Sequence, residues 1–232
     1  MLQPRLWAEL GGGDFGWLKA KHHFAFADHG KPSHTPLGSL IVWNDDEIAP
    51  GSGFPLHGHA NVEIITYVRQ GTVAHRDNLG NVGRIEAGDV QVMSAGTGIR
   101  HAEFNPGHEP LKIYQIWIRP RESGGKPRWE TRPFPKTGQS GGLVVLASGY
   151  GEDENALPIR ADARVLGAVL AAGDMIIHSL AARRHAYLAL AAGAVAVNGT
   201  HLHRGDGVAI ADEAHIQIEA LQPTELVLVE SA

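Results

Sequence analysis

The sequence predicts an all-β protein made of two small barrels in tandem, and three observations predict it. Short runs rich in Val, Ile, Thr and Tyr alternate with Gly, Asn and Asp turns along the whole chain, the pattern of sandwiches and barrels. One stretch, Arg119–Gly142, breaks that rhythm with Pro, Gly and charge, as a connection between two halves would. The landmarks before the break then recur after it. Gly71 opens a strand and Gly88-Asp89-Val90 opens another leading to His101, while Gly193 and Gly205-Asp206-Gly207-Val208 do the same ahead of His215.

Taken in order, strands are expected in the first half at Leu37–Trp43, Glu63–Val68, Thr72–Arg76, Val90–Ser94 and Lys112–Ile118. In the second half they are expected at Gly141–Ala147, Arg164–Leu170, Met175–Leu180, Ala186–Ala191, Ala194–Val197, Gly207–Ala211, His215–Glu219 and Glu225–Val229. No long segment has helical periodicity, and Ala181–His185 is the one place where a helix is admitted. The boundary is placed near Pro133, giving an N-terminal domain over 1–133 and a C-terminal domain over 134–232.

Bulk properties narrow the function. A chain of 232 residues with 43% hydrophobic and 19% charged residues can bury a real core and is an ordinary globular protein. The net charge of -5 and the lack of a Lys/Arg block disfavour direct nucleic-acid binding, which rests on neutralising phosphates. With no cysteine, disulfides, thiolate catalysis, zinc fingers and iron–sulfur clusters are excluded, so a metal must be held by His, carboxylate or backbone oxygen. The N-terminus MLQPRLWAELGGGDFGW has neither a basic nor an apolar leader region, and no apolar run approaches the ~18 residues of a membrane span. A cytoplasmic protein without a membrane partner is expected.

Two segments carry candidate chemistry. In Gly51–Gly71, His57 and His59 are two apart, so on a strand their imidazoles project to one face. Glu63 and Tyr67 share that parity if the strand runs on without a bulge. In Gly88–Asn105, His101 and Glu103 form a second same-face pair. Together they offer three neutral imidazoles and one carboxylate, a set suited to a borderline divalent transition metal. On an octahedral ion these four ligands leave two positions open.

The second half reads differently. Aligning Gly193 with Gly71 puts Ser179 and Ala181 where His57 and His59 stand, His215 at His101 and Gln217 at Glu103. One candidate ligand of four cannot hold a metal, so this half is expected to be a structural barrel. Elsewhere, the adjacent His22 and His23 point to opposite faces, and only His22 could line a pocket mouth. His75 and Asp77 share a strand face and are expected to hydrogen-bond. His201 and His203 are expected in an exposed turn, and Trp7, Trp17, Trp43, Trp117 and Trp129 in core or interface packing.

The segments Ala20–Asp28 (AKHHFAFAD), Pro50–Asn105 and Pro110–Pro120 (PLKIYQIWIRP) resemble the pirin family of double cupins, strongly over residues 17–133. The remainder resembles the second cupin of bacterial pirin-like quercetinases. Two departures from the general cupin motif are pirin-like: one extra residue between Glu63 and Gly71, and Ser94 in place of a proline. The resemblance implies His57, His59, His101 and Glu103 as metal ligands and leaves Glu63 as an interior acid. It implies one bound divalent metal, iron(II) first, with Ni, Co, Mn, Cu or Zn as alternatives.

The implied activity is a quercetin 2,3-dioxygenase-type ring cleavage of a flavonol or similar enol by O2, with Glu103 or Glu63 as the candidate base. Two alternatives stand beside it. One is a cupin oxygenase whose substrate is unrelated to flavonoids. The other is a metal- or redox-sensing transcriptional co-regulator that acts through a protein partner. The candidate residues are the same for all three.

Overall fold

The computed structural model describes residues 1–134 and 142–232, so part of the expected linker and the start of the strand expected at Gly141–Ala147 lie outside the described residues. The first half contributes β1 (Leu2–Arg5), β2 (Gly11–Asp14), β3 (Leu18–His22), β4 (Leu40–Ile48), β5 (Gly53–His59), β6 (Glu63–Gln70), β7 (Thr72–Asp77), β8 (Val82–Glu86), β9 (Asp89–Ser94), β10 (Ile99–Phe104), β11 (Leu111–Ile118) and β12 (Arg128–Pro133). The second contributes β13 (Val144–Ser148), β14 (Leu157–Pro158), β15 (Ala163–Leu170), β16 (Met175–Ser179), β17 (His185–Ala192), β18 (Ala194–Val197), β19 (Thr200–His203), β20 (Gly207–Ile210), β21 (His215–Ala220) and β22 (Thr224–Ser231). Among the described residues the single helical element is a 3-10 turn at Trp7–Glu9.

The strands form four sheets. A seven-stranded sheet, β12-β9-β6-β11-β4-β3-β2, goes with a four-stranded one, β5-β10-β7-β8; a second pair is β1-β20-β17-β22-β15-β13-β14 with β16-β21-β18-β19. The order β9-β6-β11-β4 recurs as β20-β17-β22-β15, and β5-β10-β7-β8 recurs as β16-β21-β18-β19. The glycines that announced this repeat are needed at their turns. Gly71 and Gly193 have φ of 81° and 80°, and Gly88 and Gly205 have 97° and 87°, a region other residues enter only with strain.

The two seven-stranded sheets pack on each other. Trp43, Tyr67, Tyr114 and Ile116 from one share a core with Val165, Tyr187, Val227 and Val229 from the other. Strands such as β6, β17 and β22 are therefore covered on both faces, which explains why they read as continuous apolar runs and not as alternating ones. The second barrel is filled by aliphatic side chains including Leu188, Val195, Ile216, Ile218 and Leu228. The first has two separate apolar clusters, one around Val68, Val73, Ile85 and Ile113 and one around Val62, Ile64, Met93 and Ile99. Polar side chains lie buried in the same barrel.

Several expectations need revision. Arg128–Pro133, within the expected linker, forms an edge strand on β9, and the first strand of the chain pairs with β20 in the second sheet. Gly11–Asp14 and Leu18–His22 add strands that a Gly-rich segment cannot announce through side-chain pattern. Ala181–His185 holds no helix: five residues suffice only for a turn, with Arg183 at φ 66°, before β17 begins. His201 and His203 are exposed, but they lie on β19 and not in a turn.

Candidate metal centre

β5 and β10 pair antiparallel in the small sheet of the first barrel, with His57 opposite His101 and His59 opposite Ile99. β7 lies on the other side of β10, with Glu103 opposite His75. The alternation of a strand therefore delivers His57 and His59 from one chain segment and His101 from its neighbour to a single place. Their ring centroids lie 4.5 to 5.1 Å apart, and one ligand atom from each falls within 4.8 Å of the other two. A second group meeting the same limit is His75, His101 and Glu103.

The imidazoles are prepared for metal. Burial, followed by the neighbouring rings, lowers the His59 pKa to about 4 and the His101 pKa to about 3, so both are neutral at physiological pH. His57 Nδ1 lies 2.8 Å from the Pro55 carbonyl oxygen, which fixes the proton there and leaves Nε2 with a lone pair. His101 is 1% exposed, yet neither ring nitrogen has a hydrogen-bond partner. Leaving such a group unsatisfied costs roughly 1–3 kcal/mol, and a cation would satisfy it. The donor set fits a divalent transition metal.

Glu103 is held from behind. Gln91 Nε2 donates to one carboxylate oxygen at 2.8 Å and Gln115 Nε2 to the other at 2.9 Å. Gln91 is itself positioned by Trp129, whose Nε1 donates to its Oε1 at 2.7 Å, and Trp117 Nε1 donates to Gln115 Oε1 at 3.2 Å. Asp46, also buried, has its pKa raised to about 8 by burial first and then by Asp45 and Glu103. His57 and His59 remain partly exposed, so the cluster opens outward on their side. Trp117 stands 5.0 Å from His59, with Phe26 6.4 Å beyond it, and Phe54 lies 6.1 Å from His57.

The structure does not bring Glu63 or Tyr67 to this cluster. The chain leaves β5 at His59, turns through Asn61 at φ 55° and enters β6 in the other sheet, so the shared parity is lost. Glu63 sits opposite Ser94, accepts a 2.5 Å hydrogen bond from its Oγ, and has its pKa raised by burial. It shares a strand face with Ile65 and Tyr67, which belong to the core between the barrels. His22 lies near the mouth, 5.1 Å from Phe26, and His75 does face Asp77, at 3.3 Å.

The comparison between halves shifts by one residue. His75 and Val197 each stand four positions after their glycines, and opposite them lie Glu103 and Ile218. Continuing that register, Ile216 matches His101, and its partner His178 matches His57. Leu180, paired to Ala214, takes the place of His59. The expected set Ser179, Ala181, His215 and Gln217 is thus one residue off, because a slip of one turns every side chain to the other face. His215 and Gln217 point outward, while His178 is engaged by Glu230 at 2.9 Å.

Sequence reasoning missed Gln91, Gln115 and Asp46. The available signal was a polar residue inside VQV and YQI, strands otherwise apolar on both faces. Trp117 and Trp129, expected as packing, touch the site through His59 and Gln91.

Comparison with known proteins gives the family and the fold. The Pirin family model matches residues 6–118, and the model of the quercetinase C-terminal cupin domain matches residues 145–230. A pirin-like protein of Caulobacter vibrioides is 57% identical over 232 residues, covering 100% of both chains. A quercetin 2,3-dioxygenase of Escherichia coli K12 is 39% identical over 229 residues, covering 98% of this chain and 97% of the other. The crystal structure of the bacterial pirin YhhW from Escherichia coli in complex with nickel(II) superposes with a TM-score of 0.93 at 38% identity, covering 100% of this chain and 99% of that one. Among the described residues no helix is long and apolar enough to cross a membrane.

Proposed function

The chain belongs to the pirin family, and on that premise we propose that it is a metal-dependent dioxygenase of the quercetin 2,3-dioxygenase type, cleaving a flavonol or similar enol with O2. Its fold is a pair of cupins, and the reacting centre is assigned to the first. The observation that carries this reading is the group of three imidazoles, with His59 and His101 held neutral, gathered beside a buried glutamate at an aromatic mouth. His57, His59, His101 and Glu103 are the proposed ligands. A divalent ion bound there, with iron(II) and nickel(II) the first to test, would supply Lewis acidity toward the enol oxygen and a site for dioxygen.

The chain's own residues account for the rest. The rings of Trp117, Phe26 and Phe54 offer apolar faces against which a planar aromatic substrate can stack. The two amides on Glu103 hold its carboxylate in place while leaving lone pairs toward the cluster, and we assign it the substrate's hydroxyl proton. Glu63, on the face toward the second barrel, is given a structural part through Ser94 and Arg128.

The test is anaerobic loading with Fe(II), Ni(II), Co(II) or Mn(II), followed by quercetin and air while the flavonol absorbance band is followed. Turnover with at least one ion, lost together with the metal in the His57→Ala/Glu103→Ala double variant, is the expected result. Absence of turnover with every ion loaded, or turnover that survives in the metal-free double variant, would overturn the assignment.

A further inference from the structure

The metal-centre reading uses one side of His101 and leaves His75 unexplained. His75 is 1% exposed on β7, its Nδ1 has no hydrogen-bond partner, and it meets the mutual 4.8 Å limit with His101 and Glu103. Its other nitrogen, Nε2, lies 3.3 Å from Asp77 Oδ2. Asp77 already accepts from the backbone N–H of Leu79 at 2.9 Å and of Asn81 at 3.0 Å, and from the Asn81 amide at 2.8 Å. With Asp77 an acceptor, His75 carries its proton on Nε2, and the buried Nδ1 keeps a lone pair that no hydrogen bond uses. A carboxylate behind one imidazole nitrogen and a free lone pair on the other is the arrangement that orients a metal ligand. The ring is also clamped by Trp129, stacked at 4.9 Å and 11°.

We propose a second, inner cation position in the first barrel, formed by His75 Nδ1, a nitrogen of His101 and a carboxylate oxygen of Glu103, for a divalent transition metal. Two imidazoles and one carboxylate favour such an ion over calcium or magnesium. The proposal rests on the metal-centre reading and extends it. The inner position shares His101 and Glu103 with the proposed outer ligand set and replaces His57 and His59 with His75. They are alternatives for one ion. Two dications a few ångströms apart beside one carboxylate would repel strongly in a low-dielectric interior. The inner position gives the ion a fully buried seat, and the outer one exposes it to substrate.

The experiment is metal titration by calorimetry, with metal content after dialysis, using nickel(II) and cobalt(II). Wild type is compared with His57→Ala/His59→Ala and with that variant carrying His75→Phe, which keeps the stack on Trp129. The double variant is expected to retain one equivalent, bound roughly 10–100-fold more weakly than in wild type. The triple variant is expected to retain none. Should the alanine pair unfold by circular dichroism, His57→Asn/His59→Asn replaces it. A folded double variant that binds nothing overturns the inner position while leaving the outer one standing. A triple variant that still binds also overturns it, since the binding would not use His75. Wild type that binds neither ion overturns the metal-centre reading itself.

Discussion

The two barrels share one strand order and differ in what fills them. At the positions occupied in the first by His57, His59, His101 and Glu103, the second has His178, Leu180, Ile216 and Ile218. His75 becomes Val197, so the inner position also has no counterpart. The lesson is that the double-barrel frame is indifferent to its interior. An aliphatic filling makes a barrel that stabilises by burial alone. A polar filling holds only because each carboxylate and amide finds a partner, as Glu103 does in Gln91 and Gln115.

The largest effect that could break this contrast is removal of a ligand. His101→Ala is expected to lower nickel affinity at least about 100-fold, since it takes a donor from both positions, and to abolish turnover. Retention of stoichiometric metal would mean that the polar interior is not the reason the barrels differ. The reciprocal change comes next. Ile218→Glu places an unsupported carboxylate in an aliphatic interior, and denaturant unfolding should show a loss of about 3 kcal/mol or more. A neutral result would mean that the second barrel tolerates a buried carboxylate without the partners that hold one in the first.

Smaller changes sharpen the comparison. Gln91→Leu removes one of the two donors on Glu103 and should weaken metal binding about 10-fold without unfolding the barrel. Asp46→Asn reads the same interior through pH. Its carboxyl is raised from 3.8 to about 8 by burial, then by Asp45 and Glu103, so the folded state keeps the proton that the unfolded state releases. Asp46 therefore costs nothing below about pH 4, and wild-type stability declines as the pH rises toward 8. In metal-free protein the asparagine variant should lose that decline, melting about 10 °C or more higher at pH 9 and with little difference at pH 4. Parallel pH profiles of the two proteins would contradict the assignment.

Much of this was legible in the sequence for a physical reason. Side-chain alternation is local, so the pairs His57/His59 and His101/Glu103 declare a common face without knowledge of the fold. Paired glycines declare the repeat because few other residues reach positive φ. What could not be read is what depends on pairing between strands. The switch of sheets at Asn61, which carries Glu63 to the interface between barrels, is a property of one turn. The correct partners of His57 in the second half hinge on a one-residue offset between β10 and β21 that glycine spacing does not fix. His75 needed β7 beside β10 before its interior nitrogen acquired neighbours.

The most direct measurement is the anomalous diffraction signal of a nickel- or cobalt-loaded crystal. The account predicts a single ion inside the first barrel, at about 2.1 Å from donors drawn from His57, His59, His75, His101 and Glu103, and no peak within the second barrel. An ion bound elsewhere on the chain, with those five side chains left uncoordinated, would contradict it.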